Sequence, residues 1–166
     1  MKRSVESIRR VGLIANPEKA SGRRVVRQAA ALITATGRSV STEAPTARLA
    51  GLEVPQCPDT ASLARDCDLL LVFGGDGTML RVTRDIAGQK TPILGVKVGG
   101  LGFLTAVPSQ RLAQALGQIW AGEFRVETRP LIEALGTAHG HPTTQVALND
   151  FVISRGTVSR MIELEV

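Results

Sequence analysis

Residues 68–75, DLLLVFGG, constrain the fold more than any other stretch of this chain. Five consecutive large apolar side chains leave no polar face, so a strand built from them must be covered on both sides. That is the environment of a central strand in a parallel sheet flanked by helices. The two closing glycines mark a sharp turn at its C-terminal end. The surroundings agree. RVGLIAN (10–16) reads as a second buried strand ending in an Asn-Pro turn. SGRRVVRQAAALITAT (21–36) reads as a helix, with Val25, Ala29, Leu32 and Ile33 near helical spacing, Ser21 as N-cap and Gly37 as the stop. Residues 38–42 predict a short strand, 78–87 a helix, 91–96 a strand and 109–122 a helix. Residues 43–60 hold three prolines and no strong period, and read as loop with one helical turn at most. Strand and helix patterns alternate, which predicts an α/β domain with parallel strands over residues 1–122.

Beyond Gly122 the pattern changes. FRVETRPLIEALG, QVALNDFVISRG and SRMIELEV follow one another as strands without helices between them, and GTAHGHPTT (136–144) reads as a hairpin loop. Three strands cannot close a sandwich or barrel. Residues 123–166 are therefore expected to be the start of a β-rich second domain that is truncated. The chain reads as a fragment of a longer protein, or as one that needs another chain to finish its sheet.

Composition narrows the function classes. The net charge of +5 is uneven, with ten Lys/Arg against three Asp/Glu in the first 48 residues and ten against twelve in the rest. A basic start can attract a polyanion, but it is equally a solvated tail and helix face. Four Phe, one Trp and no Tyr leave little surface for stacking bases, so no nucleic-acid partner is expected. No apolar run approaches the roughly 20 residues of a membrane span, and the apolar stretch after MKRSVESIRR is too short for a secretory leader. No membrane partner and a cytoplasmic location follow as expectations. Cys57 and Cys67 make neither a disulfide framework nor a metal site, and His139 and His141 read as solvated loop residues.

The residues that can carry chemistry fall in three places. Gly74-Gly75-Asp76-Gly77-Thr78 follows the central strand and precedes a helix. Glycines there allow close approach to the backbone, and N–H groups at such a turn can cradle phosphate. Asp76 can accept a proton from an attacking hydroxyl, help organise a metal-bound phosphate chain, or simply cap the helix. The spacing is neither a Walker A loop nor a GxGxxG fingerprint. The second place, Gly99-Gly100-Leu101-Gly102-Phe103-Leu104-Thr105, is a turn with Phe103 in the core or walling a pocket. The third is Asn149-Asp150, a polar pair interrupting an apolar run, either capping a bulge or binding a polar ligand such as a ribose.

Together VGLIANPEK, FGGDGTMLRV, PILGVKVGGLGFLT and ALNDFVISRG, in that order, resemble the NAD kinase family along nearly the whole chain. The resemblance implies transfer of the γ-phosphoryl group of ATP, with a divalent metal such as Mg²⁺, to the 2′-hydroxyl of the adenosine ribose of NAD, giving NADP. It implies Asp76 as proton acceptor and Gly77 and Arg81 as contacts to the dinucleotide or its phosphates. Asn149 and Asp150 would hold the acceptor nucleoside and its ribose hydroxyls, with Arg160 close to the same ligand. It gives no metal-ligating side chain. It implies a homo-oligomer, dimer or tetramer, for the full-length form, and little or no activity for residues 1–166 alone. Two positions depart from the pattern: Lys97 where Asn is usual, and Ala106 where an acid commonly follows LGFLT. A lipid kinase of the diacylglycerol or sphingosine type shares the GGDGT turn, and a non-catalytic nucleotide-binding module is the alternative outside the enzymes.

Overall fold

In the computed structural model, residues 8–99, 102–138 and 141–152 are described. The chain divides into two compact units between Thr128 and Arg129. The described part of the first unit holds a six-stranded sheet, all parallel, in the order β3-β2-β1-β4-β5-β6. The strands are β1 (Arg10–Ala15), β2 (Ser39–Glu43), β3 (Gln56–Cys57), β4 (Leu69–Gly74), β5 (Ile93–Lys97) and β6 (Val107–Pro108). The helices are α1 (Gly22–Thr34), α2 (Ala44–Ala50), α3 (Thr60–Asp66), α4 (Asp76–Asp85) and α5 (Leu112–Ala121).

β4 is buried at every position, as its continuous apolar run requires. Its side chains alternate between two cores. Leu69, Leu71 and Phe73 join Val11, Leu13 and Ala15 of β1 against α1 and α5. Leu70 and Val72 join Ile14 against Leu63 and Ala64 of α3 and Met79 and Val82 of α4. Helices thus cover both faces, and the sheet is doubly wound. Gly12 lets β4 and α3 pack close, since a Cβ there would meet Leu70 Cδ2 at 2.5 Å, Leu63 Cγ at 3.0 Å and, just past α3, Cys67 Sγ at 3.2 Å.

Several boundaries differ from the sequence reading. The 43–60 stretch holds more than a loop with one helical turn: it contains the seven-residue helix α2 and the short strand β3. Pro45 stands in the first turn of α2, where the missing N–H has no intrahelical partner to lose. Ser21 sits at the N-cap of α1 without a capping hydrogen bond from its side chain. α4 starts at Asp76, two residues before the expected 78, because Gly75 is its N-cap: Gly75 O accepts from Thr78 N at 3.1 Å and Met79 N at 3.2 Å.

In the second unit β7 (Ile132–Ala138) pairs antiparallel with β8 (His141–Ala147). The ladder runs through Gly136↔Thr143 and Thr137↔Pro142, so the expected long loop over 136–144 is mostly strand; β-branched Thr137, Thr143 and Thr144 favour it. The expected strand at FRVET does not form, since residues 123–131 carry no regular structure. SRMIELEV lies outside the described residues.

Candidate functional site

Strands β1 and β4 are neighbours, yet the chain leaves their C-terminal ends in opposite directions, to β2 on one side and β5 on the other. In open α/β sheets ligands bind in the crevice at such a switch point. Asn16 follows β1 and Gly75-Asp76 follows β4; Asn16 N–H donates to Phe73 O at 3.4 Å.

Asp76, the first residue of α4, is partly exposed. Its carboxylate joins the two glycine-rich stretches: Phe103 N–H donates to Oδ2 at 3.0 Å and Leu104 N–H to Oδ1 at 2.9 Å. These bonds, Phe103 first and then Leu104, with the Lys97 ammonium beyond them, hold the Asp76 carboxyl below its usual range. The clasp explains Gly102, where a Cβ would sit 2.8 Å from Asp76 Oδ1. It explains the crossover as well. β5 and β6 run parallel without a helix between them, and their connection is the loop that reaches back to Asp76. Gly99 turns the chain out of β5 at φ +100, a conformation other residues rarely adopt. Thr105 Oγ1 is buried and has no hydrogen-bond partner among the described residues.

Gly77 is exposed, with open space around it. Arg81, one helical turn on, pairs with Asp85 at 3.2 Å. The Thr60 hydroxyl lies between Asp85 Oδ2, at 3.3 Å, and the buried Glu43 that ends β2, and shares its one proton between these acceptors. A partly exposed ion pair of this kind contributes about 0–1 kcal/mol, so Arg81 can be drawn to a phosphate at little cost.

Asp76, Gly77 and Arg81 therefore share one helix, α4, with Asp76 and Gly77 at its start and Arg81 in its second turn. Asn149 and Asp150 belong to the other unit, exposed and just past the end of β8 rather than inside a strand. Arg160 lies outside the described residues. Phe103 is 92% exposed, which settles against its core role. The sequence reading missed the carboxylate clasp and the reach of Lys97 to Asp76. The one sequence signal for either was that both glycine-rich stretches follow strands.

Among the described residues no three His, Cys, Asp or Glu side chains gather where they could hold a metal. These side chains therefore do not fit a protein-built cation cage. The cysteines are not poised as nucleophiles. Burial, with Cys57 nearby, pushes the Cys67 thiol up to about 12. Burial and Asp66 raise that of Cys57. No helix among the described residues is long and apolar enough to cross a membrane.

Fold and site together define a doubly wound α/β domain with glycine-rich turns at its switch point. Residues 11–124 match the model of the ATP-NAD kinase N-terminal domain, and the chain belongs to that family. It is 40% identical over 147 residues to the NAD kinase of Acidovorax sp. (strain JS42), covering 88% of this chain and 49% of that protein. It is 34% identical over 160 residues to the NAD kinase of Syntrophotalea carbinolica, covering 96% and 56%. The chain thus spans about half the length of these relatives. The crystal structure of yeast NADH kinase complexed with NADH has the same fold, with TM-score 0.74, 18% identity, and coverage of 86% of this chain and 47% of that one. An NAD kinase from Archaeoglobus fulgidus in complex with ATP is similar at TM-score 0.52 and 19% identity, covering 80% and 45%.

Proposed function

We propose that the full-length protein transfers the γ-phosphoryl group of ATP to the 2′-hydroxyl of the adenosine ribose of NAD, forming NADP. The observation that carries this reading is the Asp76 clasp at the switch point of a chain in the ATP-NAD kinase family. A carboxylate oxygen has two lone pairs, so each Asp76 oxygen can hold its N–H donor and still accept the ribose hydroxyl. The ribose oxygen bonds to the γ-phosphorus, the bond from that phosphorus to the β-γ bridging oxygen breaks, ADP leaves, and the hydroxyl proton passes to Asp76. A carboxyl held below its ordinary range is a weak base, so Asp76 orients the hydroxyl and takes its proton late.

Arg81 meets a dinucleotide phosphate in this reading, and Gly77 leaves room for the ligand. Asn149, Asp150 and Arg160 serve the acceptor nucleoside. A divalent cation, Mg²⁺, arrives on the donor phosphates as part of the substrate. Residues 1–122 form the nucleotide-binding domain and 123–166 begin a β-rich one. The working form is a cytoplasmic homo-oligomer, and residues 1–166 alone have little or no turnover. Coverage of only about half of each curated relative supports assigning turnover to a longer protein.

The test is a coupled NADP-formation assay on the full-length protein with Asp76→Asn. Loss of about 10²–10⁴-fold in turnover is expected, with nucleotide affinity by calorimetry largely kept. Unchanged turnover would remove Asp76 from the chemistry, and absence of NADP formation by the unsubstituted protein would remove the reaction itself.

A further inference from the structure

Lys97 closes β5 in register with Gly74, and Val98 N–H donates to Gly74 O at 3.2 Å. Side chains alternate along a strand. Val96 packs with Phe73 on the α1 and α5 face, so Lys97 takes the α4 face. Its neighbour in that row agrees, since a Cβ on Gly95 would meet Met79 Sδ of α4 at 3.0 Å. The Lys97 stem therefore leaves the sheet on the side of α4, at the strand end where Asp76 begins that helix.

Lys97 is half-buried, and neither ion pair found among the described residues includes it. Asp76 turns its two oxygens to the main-chain N–H groups of Phe103 and Leu104 and makes no hydrogen bond or ion pair to Lys97 among the described residues. Behind the same clasp lies the unpartnered Thr105 hydroxyl, whose Oγ1 is 3.4 Å from the point where a Gly102 Cβ would sit. The Asp76 carboxylate feels the Lys97 charge but forms no ion pair with it, and a partly desolvated ammonium without a contact partner gains from an anion that meets it. A lysine ammonium is a compact point charge suited to phosphate.

We propose that Lys97 is a phosphate-binding residue whose ammonium takes a phosphoryl oxygen of a nucleotide laid against the β4–α4 turn beside Asp76. The inference rests on the reading that nucleotides bind this crevice. Two sources share the chemistry, the triphosphate of ATP and the diphosphate of NAD. The experiment separates them by calorimetric titration of the full-length protein and its Lys97→Gln and Lys97→Arg variants, with ATP and Mg²⁺ in one series and NAD in the other.

Lys97→Gln is expected to weaken one of the two nucleotides about tenfold, while Lys97→Arg stays within about threefold. The series that weakens names the source. Equal affinity of Lys97→Gln in both series overturns the proposal. So does an equal loss in Lys97→Gln and Lys97→Arg, which marks a packing role, and so does failure of the unsubstituted protein to bind either nucleotide. Thermal melting accompanies each titration; should Lys97→Gln melt early, Lys97→Met takes its place with the same outcomes. Failure of the kinase reading looks different: Lys97-dependent nucleotide binding with no NADP formed by the full-length protein.

Discussion

At the scale of single residues, Asp76 ties the loop after β4 to the loop after β5 through two main-chain N–H groups. Gly102 permits this by lacking a side chain. Gly102→Ala places a methyl 2.8 Å from Asp76 Oδ1. The strain therefore falls on the carboxylate. Displacing a reacting group by about an ångström can lower turnover about a hundredfold, so NADP formation by the full-length Gly102→Ala protein is expected to fall by about ten- to a hundredfold. The Asp76 carboxyl should return toward its ordinary range, readable by NMR titration. Unchanged values for both would mean the clasp does not position Asp76. The two thiols give a simpler expectation: at pH 7 both should react far more slowly with a thiol reagent in the folded chain than after denaturation, since both are raised by burial first.

At the scale of elements, glycine has opposite meanings in β1 and α5. Gly12 faces the tightly packed α3, and Gly12→Ala should destabilise the chain by about 1–3 kcal/mol through overpacking. Gly117, in the middle of α5, has open space where a Cβ would go. Gly117→Ala should stabilise by about 0.5–1 kcal/mol through helix propensity. Urea unfolding of the two variants measures both, and equal signs would contradict this account. The elements were largely legible in the sequence because their period was. The apolar stripe of α1 was read at Val25, Ala29, Leu32 and Ile33; the buried face is Val26, Ala29, Ala30 and Ile33. The stripe is turned slightly because small Ala30 lies against the sheet while Val25 and Leu32 pack only at the margin. α2 and β3 were not legible. Their short spans carry too few apolar residues to show a period, and the prolines masked them. FRVET has an alternating pattern without a strand, because alternation alone supplies no neighbour for the backbone N–H and C=O groups.

At the scale of the whole molecule, three carboxyls among the described residues sit below their usual range. Ser62 N–H lowers Asp59, and the Phe103 and Leu104 N–H groups lower Asp76. At Asp68 burial pulls upward but the Arg10 and Arg9 N–H groups outweigh it. A carboxyl lowered on folding adds stability above its unfolded pKa of about 3.9 and loses it as pH falls through the folded value. The urea midpoint should therefore be steady from about pH 7 to 5 and drop below about pH 4. A midpoint unchanged at pH 3 would show that these bonds add nothing to folding.

By itself the sequence determined the layered α/β class, the central strand and the two glycine-rich turns. These follow from local apolar period and from glycine, which act over a few residues. Strand order decided the rest. Only when β4 and β5 lie side by side does the loop at residues 102–104 reach Asp76, 27 residues away from Phe103 in sequence. The same pairing sets Lys97 level with Gly74 on the face of α4. No local pattern encodes which strands become neighbours, because that choice is made by two cores burying both faces of the sheet at once.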